Sequence, residues 1–194
     1  YPYNGKDEAR AFLQALKAKG YTPQVIITDM SQDYSEPIRA VFPGAIHHEC
    51  VFHALRWAQR LVKEVYGNHY AQTHPEAVAL KEQIYQVFDA KTRKTVNKRY
   101  RKVMALREQY VAHMPQAQRL FAFLERHYPK LVNAVENPLI PLTNNTVELV
   151  IRRFDQHYQN MCGFDSIETA RKYLHLFELT YRFTPFAQDN RPVK

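Results

Sequence analysis

Apolar residues recur along most of this chain at intervals of three and four, the spacing of a helix that buries one face. Ala9, Phe12, Leu13 and Leu16 make the first such stripe, in a helix expected over Asp7 to Lys19 and closed by Gly20 as its C-cap. The period then changes. Gln24-Val-Ile-Ile-Thr28 is a β-branched run long enough for a buried strand and too short for a helix. Ser35 to Val41 reads as a short helix stopped by the Pro43-Gly44 turn. Ala45 to Glu49 reads as a second strand, with two histidines that blur its pattern.

From His53 onward the helical period takes over. Leu55, Ala58, Leu61, Val62 and Val65 line one face, and Pro75 opens a segment carrying Ala77, Leu80, Ile84, Val87 and Phe88. Val96, Tyr100, Val103 and Tyr110 make a third stripe, Leu120, Phe121 and Leu124 a fourth, and the run Asn137-Pro138 to Pro141 closes the block. Two further helices are expected. One starts near Asn145 and carries Val147, Val150, Ile151 and Phe154. The other follows Ser166 as N-cap and buries Ile167, Ala170, Leu174, Phe177 and Tyr181. The order defines an α/β chain in three parts: helices and strands over 1–60, a helical block over 61–141, and closing helices over 142–194. One or two strands do not make a stable sheet alone, so the strand at Val25–Thr28 is expected to lack neighbours that another segment or partner supplies.

Composition narrows the class. Thirteen Tyr and 11 Phe supply a sizeable core, and five Gly with no low-complexity run argue against disorder. The two cysteines, Cys50 and Cys162, are too far apart in sequence for a disulfide framework, which fits a reducing, intracellular setting. No stretch approaches the ~20 apolar residues that span a bilayer, and Tyr1 to Asp7 has no signal-peptide pattern. The formal charge is +8, from 27 Lys and Arg against 19 Asp and Glu. Such a surplus suits a polyanionic partner, because basic side chains that neutralise phosphates release condensed counterions. It is also the balance of many proteins with no acidic partner.

Several residues could carry chemistry, each with a plainer structural reading beside it. Asp29 ends the first strand, where open α/β sheets bind ligands and metals; it could equally start a turn. Glu148 falls on the first turn of a helix, as a metal-binding carboxylate or as the far member of an Asn145-x-x-Glu148 capping box. Cys50-Val-Phe-His53 is half of a zinc pattern, and no second Cys/His pair follows at a suitable spacing. A small zinc-stabilised helical protein is the reading that pattern offers; a buried Cys and a His at a helix start is the plainer one. Lys94, Lys98, Arg99, Arg101 and Lys102 form a basic stripe, and Arg152 and Arg153 follow Glu148. They make either solvated faces, with a Glu148–Arg152 pair at i,i+4, or phosphate contacts that position DNA without reading bases.

The order of these segments is more specific than any one of them. Val25-Ile-Ile-Thr-Asp29, then Val41-Phe-Pro-Gly44, then Cys50-Val-Phe-His53, and finally Thr143-Asn144-Asn145-Thr146-Val147-Glu148 resembles DDE transposases of bacterial insertion sequences and their Mutator-like relatives. The resemblance implies a ribonuclease H-like core, present in part and split by a mainly helical insertion. It implies two divalent ions, Mg²⁺ or Mn²⁺, about 3.5–4 Å apart, which activate the attacking hydroxyl and stabilise the leaving oxygen. Hard oxygen ligands suit such ions, so Asp29 and Glu148 would be the metal ligands. His53 would sit near the scissile phosphate, with Cys50 shaping the turn, Asn144 and Asn145 belonging to the motif, and Arg152 and Arg153 on the DNA backbone. The partners implied are element-end and target DNA, with a second copy or a missing N-terminal part, in a cytoplasmic, nucleoid-associated setting. The family's first aspartate lies well upstream of the helix preceding Asp29; Asp7 lies on that helix and does not replace it. The chain is therefore expected to hold the back part of such an enzyme and to be inactive alone. The alternative is a non-catalytic, transposase-derived DNA-binding or regulatory protein.

Overall fold

The computed structural model describes residues 5–143 and 145–183, with the side chains of Asn145, Thr146 and Arg182 left out. It divides into two units, residues 1–144 and 145–194.

The first unit opens with α1 (Lys6–Ala18). Glu8 folds back to accept the Gly5 N–H at 3.1 Å. At the other end, Tyr21 N–H reaches the Leu16 carbonyl and Gly20 N–H the Lys17 carbonyl. This is a Schellman closure, and the positive φ of 85° that it demands at Gly20 costs glycine nothing. Gly20 thus sits one position past the C-cap, which is Lys19. The apolar stripe is wider than the face that is covered: Leu13 is buried against α2 (Ser35–Val41), whereas Phe12 is 63% exposed.

Strands β1 (Val25–Thr28) and β2 (Ile46–Glu49) pair in parallel across the α2 crossover, from Val25 opposite Ile46 to Thr28 opposite Glu49. The histidines of β2 are compatible with a strand because polar groups of β1 and of the helical block receive them. His48 Nδ1 lies 2.9 Å from the Lys130 carbonyl, His47 Nε2 2.8 Å from Thr28 Oγ1, and Asn133 donates to the His47 carbonyl. A polar strand can be buried when most of its groups find such partners; His48 Nε2 makes no hydrogen bond among the described residues.

The block begins with α3 (Val51–Tyr66), whose N-cap Cys50 is wholly buried. Cys50 N–H donates to the Thr28 carbonyl and Val51 N–H to that of Leu142. Then follow α4 (Tyr70–Thr73), α5 (Pro75–Phe88), α6 (Arg93–Ala105), α7 (Arg107–His113) and α8 (Gln118–Leu131). The third stripe is two helices rather than one. The chain leaves the helical ladder at Leu106, so Val96 and Val103 belong to α6 and Tyr110 to α7. The shared core includes Leu61, Leu80, Ile84, Val96, Phe121 and Leu124, all buried.

The second unit is a helical pair, α9 (Asn145–Asn160) and α10 (Ile167–Phe183). Ser166 caps α10 as expected, its Oγ accepting Thr169 N–H at 3.1 Å. The pair meets through aromatic rings, with Phe154 edge-on to Phe177 at 5.5 Å between centroids and 6.1 Å from Tyr173. The face expected to be buried is covered in part: Ile167 is 68% and Leu174 47% exposed, because the rings at 173 and 177 carry the contact. Among the described residues no helix is long and apolar enough to cross a membrane.

Candidate functional site

Asp29 is the first residue past β1, and it starts a turn there. Its Oδ1 accepts the Ser31 N–H at 2.9 Å, an Asx turn that fixes the carboxylate at the strand end. Oδ2 accepts no hydrogen bond among the described residues. The same carboxylate lines a cavity of about 870 Å³ in the first unit. Nearby, Tyr34 has its phenol pKa pushed up, first by burial and then by the carboxylates of Asp29 and Asp33.

Two helices wall this cavity, each with one face. From α3 come His53, Arg56, Trp57 and Arg60, at the three- and four-residue steps that put side chains on one side of a helix. From α8 come Arg119, Phe123, Arg126 and His127 by the same rule. Four guanidinium groups therefore face one carboxylate. Glu64 accepts from Arg60 at 3.1 Å and from Arg119 at 2.9 Å, which answers two of the four. Arg56 and Arg126 have no ion pair among the described residues, so the cavity keeps an excess of positive charge.

Behind the wall lies a buried ionic network. Glu49, 1% exposed at the end of β2, accepts from His127 Nδ1 at 2.6 Å and from Lys130 Nζ at 2.9 Å. Lys130 also reaches Ser35 Oγ at 2.8 Å. Burial by itself would raise the Glu49 pKa; the hydrogen bonds from His127 and Lys130 outweigh it and hold the carboxyl below its ordinary range. With Nδ1 committed to the carboxylate, Nε2 is the nitrogen His127 has left for the cavity it lines.

Among the other expected site residues described in the first unit, none lines the cavity. Cys50 is buried at the start of α3, and the cavity is not lined by it. Lys94, Lys98, Arg101 and Lys102 are exposed along α6, apart from the cavity. Arg99 differs from them: its Nη1 donates to the Gln86 carbonyl at 2.5 Å and fastens α6 to α5. Arg99→Ala should therefore lower unfolding free energy by about 1 kcal/mol, and Lys98→Ala by less than about 0.5, in parallel urea titrations. Glu148, Arg152 and Arg153 are on α9, with Glu148 in its first turn and the Arg153 guanidinium 5.8 Å from the Tyr181 ring centroid. Asn144 and the side chain of Asn145 lie outside the described residues.

The sequence reading missed Arg56, Trp57, Arg60, Arg119, Arg126, Glu49, His127 and Lys130. A signal existed within each helix, since His53, Arg56, Trp57 and Arg60 share a face and Arg119 and Arg126 are two turns apart. No local pattern linked the two helices.

Together these features define an α/β chain with a basic cavity at the carboxyl end of its first strand. A family model described as Transposase IS66 family matches residues 2–172, and the chain belongs to that family. IS66 is a different group from the Mutator-like relatives that the sequence also resembled, so transposase ancestry holds and the narrower placement shifts. Among curated proteins no relative matches the chain.

Proposed function

We propose that the chain serves the DNA cleavage and joining steps of transposition, with Asp29 and Glu148 as carboxylate ligands for Mg²⁺. The observation that carries this is the Asp29 carboxylate, fixed at a strand end, with Oδ2 accepting no hydrogen bond among the described residues and opening on an arginine-rich cavity. Such an oxygen fits Mg²⁺, which binds through one or two carboxylates and keeps several waters. The first turn of α9 favours an ionised Glu148, because the positive end of the helix dipole lies there. In this reading residues 1–60, with α1, β1, α2 and β2, are part of a ribonuclease H-like core, and residues 61–141 are the helical insertion. When bound, the ions supply activation of the attacking hydroxyl and stabilisation of the leaving oxygen. The chain's own residues position the DNA. His53 lies on the cavity wall with Asp29 and would approach the scissile phosphate; the α6 stripe, Arg152 and Arg153 would hold backbone phosphates.

Calorimetric titration of the full chain with Mn²⁺ tests the assignment. Asp29→Asn and Glu148→Gln should each weaken binding about tenfold, a loss of about 1.4 kcal/mol. Unchanged isotherms in both variants would reject the metal site. The excess of arginines over carboxylates in the cavity would then favour a DNA-binding regulator without catalysis.

A further inference from the structure

We infer that the arginine-walled cavity receives an unpaired stretch of DNA, with Trp57 as the platform on which a base stacks. The inference deepens the proposed function and rests on its DNA-handling part; it does not need the metal. Its basis is the joint placement of charge and ring. Trp57 is 44% exposed on the cavity wall, and the Arg60 guanidinium lies 5.4 Å from its ring centroid. One turn back the motif repeats, with Phe52 at 43% exposed and Arg56 at 5.6 Å from its centroid. An indole this large is normally buried or committed to a partner. Here its hydrophobic surface is left beside cations whose countercharge is incomplete.

Phosphates answer the cations. Arg56 and Arg126 approach from opposite helices, so a strand in the cavity meets guanidinium groups on two sides. The ring discriminates between single and double strands. In a duplex each base lies between its neighbours and offers the grooves an edge, which a tryptophan cannot stack on. An unpaired base presents its π-face, and stacking on an aromatic side chain accepts any base because each has one. The cavity, about 870 Å³, also has the size of a pocket for small ligands rather than of a trough for a helix. Asp29 lines the same cavity, which puts the proposed reacting end of such a strand beside the carboxylate.

Because the chain has a single tryptophan, its fluorescence reports this position directly. The full chain is titrated in EDTA with a short oligothymidylate, a blunt hairpin duplex, the same hairpin with an unpaired 3′ tail, and inorganic tripolyphosphate. The oligothymidylate and the tailed hairpin should quench the emission; the blunt hairpin and tripolyphosphate should not. By anisotropy of a labelled oligothymidylate, Trp57→Ala should weaken binding about tenfold while Trp57→Phe retains most of it. Blunt-hairpin binding should be equal in all three proteins. Equal quenching by the blunt hairpin or by tripolyphosphate, or an oligothymidylate affinity indifferent to Trp57→Ala, would overturn the inference. Those results leave the metal assignment standing, and failure of the Mn²⁺ titration leaves the stacking result standing.

Discussion

Glu49→Leu should lower the unfolding free energy by about 3–5 kcal/mol, the largest effect expected of any single change in this chain. The carboxylate is 1% exposed and ties His127 and Lys130 together at 2.6 and 2.9 Å. Removing it leaves the half-buried Lys130 ammonium with Ser35 Oγ as its remaining partner and the His127 imidazole donor facing an apolar side chain. A charge held in the interior without its counter-ion costs far more than the pair contributes when intact. Urea unfolding monitored by circular dichroism gives the number. A companion variant separates the pair from the site: Glu49→Leu combined with Lys130→Met should recover part of the loss, since the orphaned cation is gone as well. Additive losses in the double variant would show that the two groups do not interact. The acid limb follows from the same bonds. The folded Glu49 pKa lies below the unfolded value, so its contribution is present above about pH 4.5 and is lost as pH falls through the lower folded value.

A second large effect belongs to His47 and occupies a different pH window. Burial, followed by the nearby Lys130 ammonium, pushes its pKa from 6.5 down to about 4, against a smaller opposing pull from Glu49; His48 adds to the lowering. In the unfolded chain this imidazole takes up a proton near pH 6.5; in the folded chain it waits until about pH 4. Between these values the unfolded state binds more protons, so stability falls as acid is added. The His47 share over the whole window is roughly 3 kcal/mol, at 1.36 kcal/mol for each pKa unit. His47→Gln keeps a polar partner for Thr28 Oγ1 and removes the titration. The measurement is urea unfolding at pH 7 and at pH 4.5 for both proteins. Wild type should lose more stability than the variant, and equal losses would place the acid sensitivity in other groups. His48 is also held down by burial and keeps a residual slope in the variant.

Both effects sit where β2 meets α8, and this junction also sets the cavity. His127 lines the cavity on one side and holds Glu49 on the other. The site is therefore positioned by an ionic network that the sequence reading treated as a blurred strand. An Ile-His-His-Glu run has little of the alternation that marks a half-buried strand. It becomes a strand because α8 and the segment after it bring Lys130, Asn133 and His127 to within hydrogen-bond distance. Such partners are about 80 residues away in sequence, beyond any local window.

The sequence by itself determined the elements whose burial has one period. The stripes at Leu61, Leu80 and Leu124, the closure of α1 at Gly20 and the cap at Ser166 follow from spacing and from short-range hydrogen bonds. It also placed Asp29 at the end of a strand, because a β-branched run too short for a helix ends there. Tertiary structure decided what lies opposite that carboxylate. Arginines on α3 and α8 read as ordinary solvated positions within their own helices, and they become one wall because Phe121 and Leu124 pack those helices side by side. Charge acts through space, whereas a sequence pattern records neighbours along one element, and the difference between the two is the cavity.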